Sequence, residues 1–387
     1  MKTQTAFAAA FIAALFLPPL LLDRTSVVSQ KENRNLAQKP AIIADGGMNK
    51  EYFSQFDAWL GDRFGLREPL VALDSVVKNR RKSKYALTDR ALEGKDGWIF
   101  YILDNNIADF CKINLLDEAT FSRIEDNVRE TVEWCAEHGI KVLYFIAPNK
   151  HSVYSEYYPF DRPEGITRGD QVAAAINAGG ADCFFPRDLL LEKKDSAPFR
   201  LYFKTDTHWN SLGAYYASEA LRGKFETLFP EVQFPQITYR TKIQKGAYRG
   251  DLIPMLNKPG MEETECVSVV HESIVNQFFS LPIIAVDDSF VPDNDNAFGY
   301  EYLYYAPSHG ISGVHTRGKN ADLPRALVFR DSFFIALEPF VSPLFSEVDY
   351  VWKDFTDADK KRILEYKPDI VIFEHVERYA PLLGLVR

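Results

Sequence analysis

The stretch "DTHWN", residues 206 to 210, places a carboxylate two positions before an imidazole. His208 is one of only seven histidines in 387 residues. If the segment is extended, Asp206 and His208 project to the same side, so the carboxylate can accept the Nδ1 proton and orient the ring. Nε2 is then free to take a proton from a hydroxyl. The pair predicts a general base, His208, oriented by Asp206, although an Asp-x-His pair in a loop is a weak signal by itself.

A hydroxyl that such a base would activate follows an apolar strand late in the chain. In "ALVFRDSFF" the strand pattern ends at Arg330, Ser332 comes two residues later, and a helix pattern follows at once. Open α/β folds place ligands at the carboxyl edge of their strands, and the unpaired N–H groups of a helix start can hold an oxyanion. Ser332 is therefore the predicted nucleophile. The alternative is structural, because Asp331 or Ser332 could simply cap the helix.

Metal binding is the rival chemistry for the Asp206 and His208 pair. The sequence has no HExxH motif, no CxxC motif and no second close pair of histidines to supply the third and fourth ligands of a zinc ion. We therefore expect no metal and no cofactor.

The four cysteines have no spacing that identifies a disulfide. Cys135 has a simpler explanation, because apolar residues recur around it at three- and four-residue intervals and predict a helix with Cys135 on its inner face. Pairing stays open for Cys111, Cys135, Cys183 and Cys266.

The elements that would position the site alternate between helices and strands. The apolar run "KVLYFIA" at 141–147 is typical of a parallel strand covered on both faces, and strand patterns return at 326–329 and 369–374. This alternation predicts an α/β fold with a parallel central sheet. Residues 234–324 are short β-rich pieces, which predicts an insertion. Helix patterns occur at 51–60, 69–82, 117–138 and 167–178.

Composition supports a globular protein. A hydrophobic content of 46% allows a large core that needs no stapling by metals or disulfides. The net charge of −9 provides no basic surface for nucleic acid, which we exclude as a partner.

The first residues predict a membrane anchor at 1–24. The run Ala6 to Leu22 holds 17 apolar residues, the lower limit for spanning a bilayer. With Lys2 inside, the rest of the chain lies outside the cytoplasm. A cleaved signal peptide with an unusual cleavage site is the alternative, since no Ala-x-Ala site follows. Residues 25–45 would then form a polar linker and 46–387 the folded domain.

Several stretches together resemble the AlgX/AlgJ-type alginate O-acetyltransferases and the wider DHHW-motif group of SGNH-hydrolase-like proteins. They are "YFSQFDAWLGDRFGLR", "GKDGWIFY", "IAPNKHSVYSEYYP", "KTDTHWNSLGAYY" and "LVFRDSFF", followed by "PDIVIFEHVERY". They run in the family's order over residues 50–380. The resemblance implies an SGNH-like three-layer α/β/α fold, with Asp and His before Ser in the chain, an order permuted from that of the usual SGNH hydrolases.

The resemblance also implies a function. Ser332, with His208 as base and Asp206 as its orienter, would take an acetyl group and pass it to a hydroxyl of an exported, alginate-like polysaccharide. An MBOAT-type membrane partner would deliver the acetyl group. The protein would be a single-pass protein of the bacterial inner membrane, with its domain in the periplasm or another extracytoplasmic space.

One departure from the SGNH pattern concerns the oxyanion site. Here "RDS" replaces the usual "GDS", and Arg330 does not allow the close backbone approach of a glycine. The predicted oxyanion donors are the Ser332 amide and Asn149, which follows the strand at 141–147. Asn149, Trp209 and Arg330 are the predicted substrate-binding residues, with Trp209 stacking on a sugar. Packing is the alternative for Trp209, and an ion pair for Arg330.

Two further functions fit the same residues. A carbohydrate acetyl esterase would use the same three side chains with water as acceptor. A polysaccharide-binding assembly protein would keep the fold without catalysis, since a fold alone does not establish activity.

Overall fold

The computed structural model describes residues 22, 28–29, 34–44, 47–63, 85–258, 260–271, 300–308 and 311–386. Apart from residue 22, the predicted anchor (1–24) lies outside these ranges, as does the predicted helix at 69–82. Within the described part of the chain, no helix is long and apolar enough to cross a membrane.

The elements follow one another in a regular α/β order after a short N-terminal part. The strands are β1 (Val28–Ser29), β2 (Arg34–Asn35), β3 (Ile43–Ala44), β4 (Gly47–Met48), β5 (Ala91–Glu93), β6 (Ile99–Tyr101), β7 (Lys141–Ala147), β8 (Asp182–Phe184), β9 (Tyr239–Tyr248), β10 (Glu263–His271), β11 (Tyr300–Ser308), β12 (Ile311–Gly318), β13 (Arg325–Arg330), β14 (Glu347–Trp352) and β15 (Ile370–Val376).

The helices alternate with these strands. The α-helices are α1 (Tyr52–Arg63), α2 (Asn106–Cys111), α3 (Glu118–Glu137), α4 (Lys150–Val153), α5 (Arg168–Ala178), α6 (Arg187–Lys194), α7 (Ser211–Leu228), α8 (Leu252–Leu256), α9 (Glu338–Val341), α10 (Lys360–Tyr366) and α11 (Leu382–Leu385). Short 3-10 helices occupy Lys95–Gly97, Ser155–Tyr157, Ser332–Leu337, Ser342–Leu344, Asp357–Asp359 and Glu377–Tyr379.

The described residues form a seven-stranded central sheet in the order β11-β12-β14-β13-β15-β7-β8. The five strands from β14 to β8 are parallel, whereas β12 is antiparallel to β14 and to β11. The prediction of a parallel sheet is therefore corrected to a mixed one. The physical reason is that part of the predicted β-rich segment pairs as a hairpin, which needs only a short connection, and extends the edge of the sheet.

Helices cover both faces of this sheet and make three layers. Because side chains alternate along a strand, Leu143 and Phe145 of β7 face one core, which includes α7. Tyr144 and Ile146 face the other core, which includes α3 and α5. The two cores are the physical basis of the α/β/α architecture.

The sequence signals for helix ends match the structure. The Asp117 side chain accepts a hydrogen bond from the amide of Thr120 at the start of α3. Gly139, just after that helix, has φ +71, a conformation that favours glycine. Cys135 is fully buried on the inner face of α3, as its spacing predicts, and all four cysteines are free.

The rest of the predicted insertion includes a second hairpin, β9 and β10, beside the central sheet. It is tied to the start of α7, because the Ser211 hydroxyl donates to the Val267 carbonyl and accepts from the Val269 amide, both at 3.1 Å. The hairpin therefore lies next to the segment that precedes α7.

We predict that Leu221→Ala lowers the free energy of unfolding by about 2–5 kcal/mol, because it leaves a cavity between α7 and the sheet. Leu221 is fully buried in the core on that face. Denaturant titration of the variant measures the loss. Glu219→Ala, at an exposed position of the same helix, is the matched control and should stay within about 0.5 kcal/mol of the wild type. Equal effects would contradict this account of the packing.

Candidate active site

Three side chains form a hydrogen-bonded chain at the carboxyl edge of the sheet. The Ser332 Oγ lies 2.8 Å from His208 Nε2, and His208 Nδ1 lies 2.7 Å from Asp206 Oδ1. Ser332 follows β13, while Asp206 and His208 lie in the loop before α7. The structure therefore brings together the three residues predicted to be catalytic. Ser332 is half-buried.

Asp331, the residue before the serine, caps the 3-10 helix that starts at Ser332. Asp331 Oδ1 accepts from the amide of Phe333 at 2.8 Å, and Oδ2 accepts from the amide of Val376 in β15 at 2.8 Å. The Asp331 amide in turn donates to Glu374 at 2.9 Å. Since Asp331 caps the 3-10 helix that begins at Ser332, the serine hydroxyl is left to the imidazole.

The Asp206 carboxylate accepts four hydrogen bonds. The amide and the Nδ1–H of His208 donate to Oδ1, at 3.0 and 2.7 Å. The Tyr248 hydroxyl and the Asp251 amide donate to Oδ2, at 2.7 and 3.1 Å. Burial alone would raise the pKa of Asp206, but the hydrogen bonds and charge of His208, with the Tyr248 hydroxyl, hold this pKa well below its ordinary value. Asp206 is therefore an anion that fixes the ring of His208.

The charge on Asp206 also acts on the imidazole. Burial would lower the pKa of His208, but the hydrogen bond and negative charge of Asp206 outweigh burial and raise this pKa above 6.5. A more basic imidazole takes a proton from a serine more readily. In the neutral ring Nδ1 carries the proton, so Nε2 accepts from the Ser332 hydroxyl.

A buried lysine holds the main chain of the loop that carries the base. Lys150 Nζ donates to the carbonyls of Phe203 and Lys204, both at 3.2 Å, and of Asp206 at 2.6 Å. Burial lowers the pKa of Lys150 to about 8, against the opposing charges of neighbouring carboxylates. Its ammonium group has three donors and uses them to fix the course of the loop.

Close packing of a second segment fixes the same loop from the other side. A Cβ at Gly250 would lie 2.2 Å from the carbonyl oxygen of Thr205, so the site requires glycine. The amide and hydroxyl of Thr205 both donate to Glu263 of β10, at 2.9 and 2.8 Å. The hairpin and the segment between its two strands thus act as a rigid support for the loop.

Two of the predicted substrate-binding residues are corrected by the structure. Trp209 is 1% exposed, and its Nε1–H donates to the carbonyl of Phe333 at 2.9 Å. It therefore ties the base loop to the serine loop and offers no face to a sugar. Arg330 is 3% exposed, forms an ion pair with Glu338 at 2.8 Å and lies 5.0 Å from the ring of Trp352. It is a buried structural cation.

Asn149, the third predicted substrate-binding residue, lies at the same edge of the sheet as the serine. It follows β7, and Ser332 follows β13, two strands away at the same edge of the sheet. Its Oδ1 accepts from Arg378 at 3.3 Å, and its buried Nδ2 has no hydrogen-bond partner among the described residues. An unpaired buried donor is costly unless a ligand uses it. Its role as an oxyanion donor stays a prediction.

Three residues without a predicted role support the candidate triad. Tyr248 and Asp251 bond to Asp206, and Lys150 holds its loop. Lys150 and Asp251 lie in the short polar stretches "APNK" and "YRGDL", in which no local pattern identifies their partners. No local pattern identifies Tyr248, because its partner lies 42 residues away.

Two carboxylates and the imidazole of this site form the one cluster of possible metal ligands among the described residues. The ligand atoms of Asp206, His208 and Asp251 lie within 4.8 Å of one another. Asp206 and His208 bond to each other, and the Asp251 carboxylate accepts from the amide and hydroxyl of Thr207. Burial and the charge of Asp206 raise the pKa of Asp251 to about 6. These hydrogen bonds already occupy the carboxylate oxygens of the group.

The three-layer fold, with Ser332, His208 and Asp206 hydrogen-bonded at the carboxyl edge of the sheet, is similar to the SGNH hydrolase-like fold. The family model described as "SGNH hydrolase-like domain, acetyltransferase AlgX" matches residues 91–273, somewhat less than half of the chain and a range that includes Asp206 and His208. The resemblance to AlgX/AlgJ SGNH hydrolase-like acetyltransferases seen in the sequence is confirmed by this match and by relatives named AlgJ.

Individual relatives are distant. "Probable alginate O-acetylase AlgJ" of Pseudomonas putida (strain KT2440) is 26% identical over 163 residues, which cover 42% of this chain and 41% of that protein. The protein of the same name from Pseudomonas syringae pv. tomato is 24% identical over 301 residues, 74% of this chain and 68% of the relative. The structure of Bacillus cereus PatB1 is similar in fold, with a TM-score of 0.50 and 14% identity, over 76% of this chain and 96% of PatB1.

We predict that Asp206→Asn lowers the pKa of His208, because burial is then opposed only by the weaker effect of the Asp251 charge. A titration of the His208 ring resonances by NMR measures both values. Asp117→Asn, a helix cap away from the site, serves as the control and should leave the titration unchanged. A pKa of His208 that is the same in both variants would show that Asp206 does not set it.

We also predict that Lys150→Met lowers the free energy of unfolding by about 1–3 kcal/mol, because three loop carbonyls lose a charged donor. Hydrogen exchange at the amide of His208 should accelerate with it. Lys361→Met, at a side chain 83% exposed, is the control and should change neither quantity. An unchanged exchange rate in Lys150→Met would mean that the loop keeps its course without the lysine.

Proposed function

We propose that this protein is an extracytoplasmic O-acetyltransferase that moves acetyl groups through Ser332 onto hydroxyls of an exported polysaccharide. The observation that carries the proposal is the continuous hydrogen-bonded chain from Ser332 Oγ through His208 to Asp206. Similarity to probable alginate O-acetylases supports an acetyl donor and a polysaccharide acceptor. The roles of the three residues are part of the proposal.

The first half of the reaction acetylates the serine. His208 Nε2 takes the proton of Ser332 as Oγ forms a bond to the acetyl carbonyl carbon of the donor. The carbonyl oxygen becomes an oxyanion, which the Asn149 side-chain amide and the Ser332 N–H would stabilise. The bond to the donor's leaving oxygen or sulfur then breaks, and the leaving group takes the proton from His208. The serine is left as an acetyl ester.

The second half returns the serine to its free state. His208 takes the proton of a sugar hydroxyl as that oxygen attacks the acetyl carbon, and the bond to Ser332 Oγ breaks as Oγ recovers the proton. If water replaces the sugar, the product is acetate and the protein is an esterase. The same side chains serve both outcomes, so the acceptor decides between a transferase and an esterase.

The proposal also includes the membrane anchor, the cellular location and the membrane partner that are expected from the sequence. Residues 1–24 would anchor the chain in the bacterial inner membrane, with the domain on the periplasmic or other extracytoplasmic side. The acetyl group would come from an MBOAT-type membrane partner. An anchored enzyme beside such a partner would meet both the donor and the polymer as it leaves the membrane.

We predict that Ser332→Ala lowers the turnover of p-nitrophenyl acetate at least about a hundredfold, because the nucleophile is lost. In the wild type, mass spectrometry should detect one acetyl group on Ser332 after mixing with the probe. Ser122→Ala, at an exposed position of α3, should keep wild-type turnover.

Adding an oligosaccharide acceptor separates the possible functions. Acetyl appearing on the sugar supports the transferase, whereas acetate alone indicates the esterase. Equal turnover of the probe by Ser332→Ala and the wild type would reject both enzymes and leave a polysaccharide-binding protein.

A further inference from the structure

A histidine in the last strand of the sheet lies between two carboxylates next to the serine loop. His375 belongs to β15, and its side chain is 8% exposed. Its Nε2 donates to Asp354 Oδ1 at 3.0 Å, and its Nδ1 lies 3.7 Å from Asp331 Oδ2. The second distance is too long for a hydrogen bond and is that of an ion pair. The reaction proposed for Ser332 does not use this group.

The two contacts of His375 cross the carboxyl ends of three neighbouring strands. β13 lies between β14 and β15 in the sheet. Asp331 follows β13 directly, and Asp354 lies in the segment after β14. The imidazole on β15 therefore reaches past the end of β13 to the segment after β14. It links the residue that precedes the nucleophile to elements on both sides of β13.

These contacts keep His375 positively charged. Burial would lower the pKa of its ring, but the contacts with Asp331 and Asp354 outweigh burial and raise this pKa to about 10. Burial would likewise raise the pKa of Asp331, but His375 and the amide of Val376 hold this pKa below its ordinary value. Near neutral pH, His375 is therefore a cation between two anions.

The remaining carboxyl group of this cluster is uncharged. Glu374 is 1% exposed, and burial together with the charge of Asp331 raises its pKa well above the ordinary value. Arg378 has a smaller electrostatic effect on Asp331 than His375 has. The charge of the Asp331 carboxylate is therefore balanced mainly by His375.

The charge of Asp331 matters because this carboxylate belongs to the residue directly before the nucleophile. Asp331 caps the 3-10 helix that begins at Ser332, so its position fixes the start of that helix. An unbalanced anion there would also oppose the negative charge that develops when the serine oxygen attacks a carbonyl. A cation held against Asp331 reduces this opposition. The pairing therefore affects both the position and the reactivity of the serine.

We propose that His375 is a positioning residue for the nucleophile, which holds Asp331 in place and balances its charge so that Ser332 stays within reach of His208. This inference rests on the proposed function, since it names a residue that prepares Ser332 for the reaction. The ring nitrogens of His375 lie against Asp331 and Asp354 and not against Ser332, so His375 acts through Asp331.

A cleft beside His375 allows the role to be tested by chemical rescue. Phe329, Phe355 and Phe373 line this cleft together with His375, and it encloses about 230 Å³ of empty space, part of it open to solvent. Added imidazole can therefore enter the space that a shortened side chain leaves. Pyrazole has the same ring size but stays uncharged near neutral pH, so it is the matched control compound.

The test measures turnover of the acetyl ester probe by the full-length chain carrying His375→Ala. We expect kcat to fall about 10- to 100-fold, as for a small displacement of reacting groups, while KM stays close to the wild-type value. Imidazole should restore a large part of kcat and pyrazole should not, because only imidazole becomes a cation against Asp331. Since imidazole also cleaves the probe by itself, the rates are corrected with the double variant Ser332→Ala/His375→Ala.

His315→Ala is the matched control variant. His315 also lies near two carboxylates of the sheet, Glu347 at 3.7 Å and Asp349 at 3.9 Å. Its neighbour Asp349 is opposite Leu327, inside β13 rather than at its carboxyl end. His315→Ala should therefore keep wild-type turnover, with and without imidazole.

A measurement that needs no turnover separates this inference from the proposed function. In an NMR titration the Asp331 carboxyl group should have a higher pKa in His375→Ala than in the wild type, because less charge then opposes burial. Hydrogen exchange at the Phe333 amide, which donates to Asp331, should also accelerate. If the wild type does not turn over the probe but both changes occur, the proposed function fails and the positioning of the serine loop by His375 stands.

Three results would overturn the inference. They are an unchanged kcat in His375→Ala, equal rescue by imidazole and pyrazole, and an unchanged pKa of Asp331. Asp354→Asn is a milder variant for the case that His375→Ala does not fold, since the Asp354 side chain is 42% exposed. It should lower the pKa of His375 and lower kcat by a smaller factor. A normal kcat with a lowered pKa of His375 would contradict the role.

Discussion

The hydrogen bond between Ser332 and His208 joins positions 124 residues apart, and the rest of the fold has to hold these two loops together. The serine is fixed because it follows directly on a central strand and because Asp331 caps the short helix that starts there. The histidine has no such strand behind it. Its loop is held by hydrogen bonds from Lys150, by contacts with the β9–β10 hairpin, and by the hydrogen bond from Trp209 to the loop that carries the serine. The base therefore depends on tertiary contacts much more than the nucleophile does.

Buried charges around the site have close partners. Asp206 has four donors, and Arg330, at the end of the strand that precedes the serine, is paired with Glu338. Buried charges without such partners are strongly destabilising. The buried amide donor of Asn149, by contrast, has no hydrogen-bond partner among the described residues.

Local sequence patterns predicted the elements and contacts that depend on residues close together in the chain. Apolar runs gave β7, β13 and β15 nearly to the residue, and the spacing of Asp206 and His208 gave their contact. The sequence pattern did not predict that Trp209 is buried, since an aromatic residue beside a polar motif can lie on the surface or in the core. The antiparallel edge of the sheet was also missed, because strand direction depends on pairing partners that are distant in sequence. The contact of Tyr248 with Asp206 was missed for the same reason, because the two residues are distant in sequence. The roles of the site residues stay predictions.

The order of the strands has a consequence for biosynthesis. β13 and β15 lie in the middle of the sheet, yet they belong to the last part of the chain to be made, whereas the older β7 lies beside them toward one edge. A growing chain made up to α7 already contains Asp206 and His208, but of the two strands that pair with β7 it has only β8 and still lacks β15. Such a chain has an incomplete sheet and lacks Ser332. The central sheet and the hydrogen-bonded site are therefore completed together, by the last part of the polypeptide.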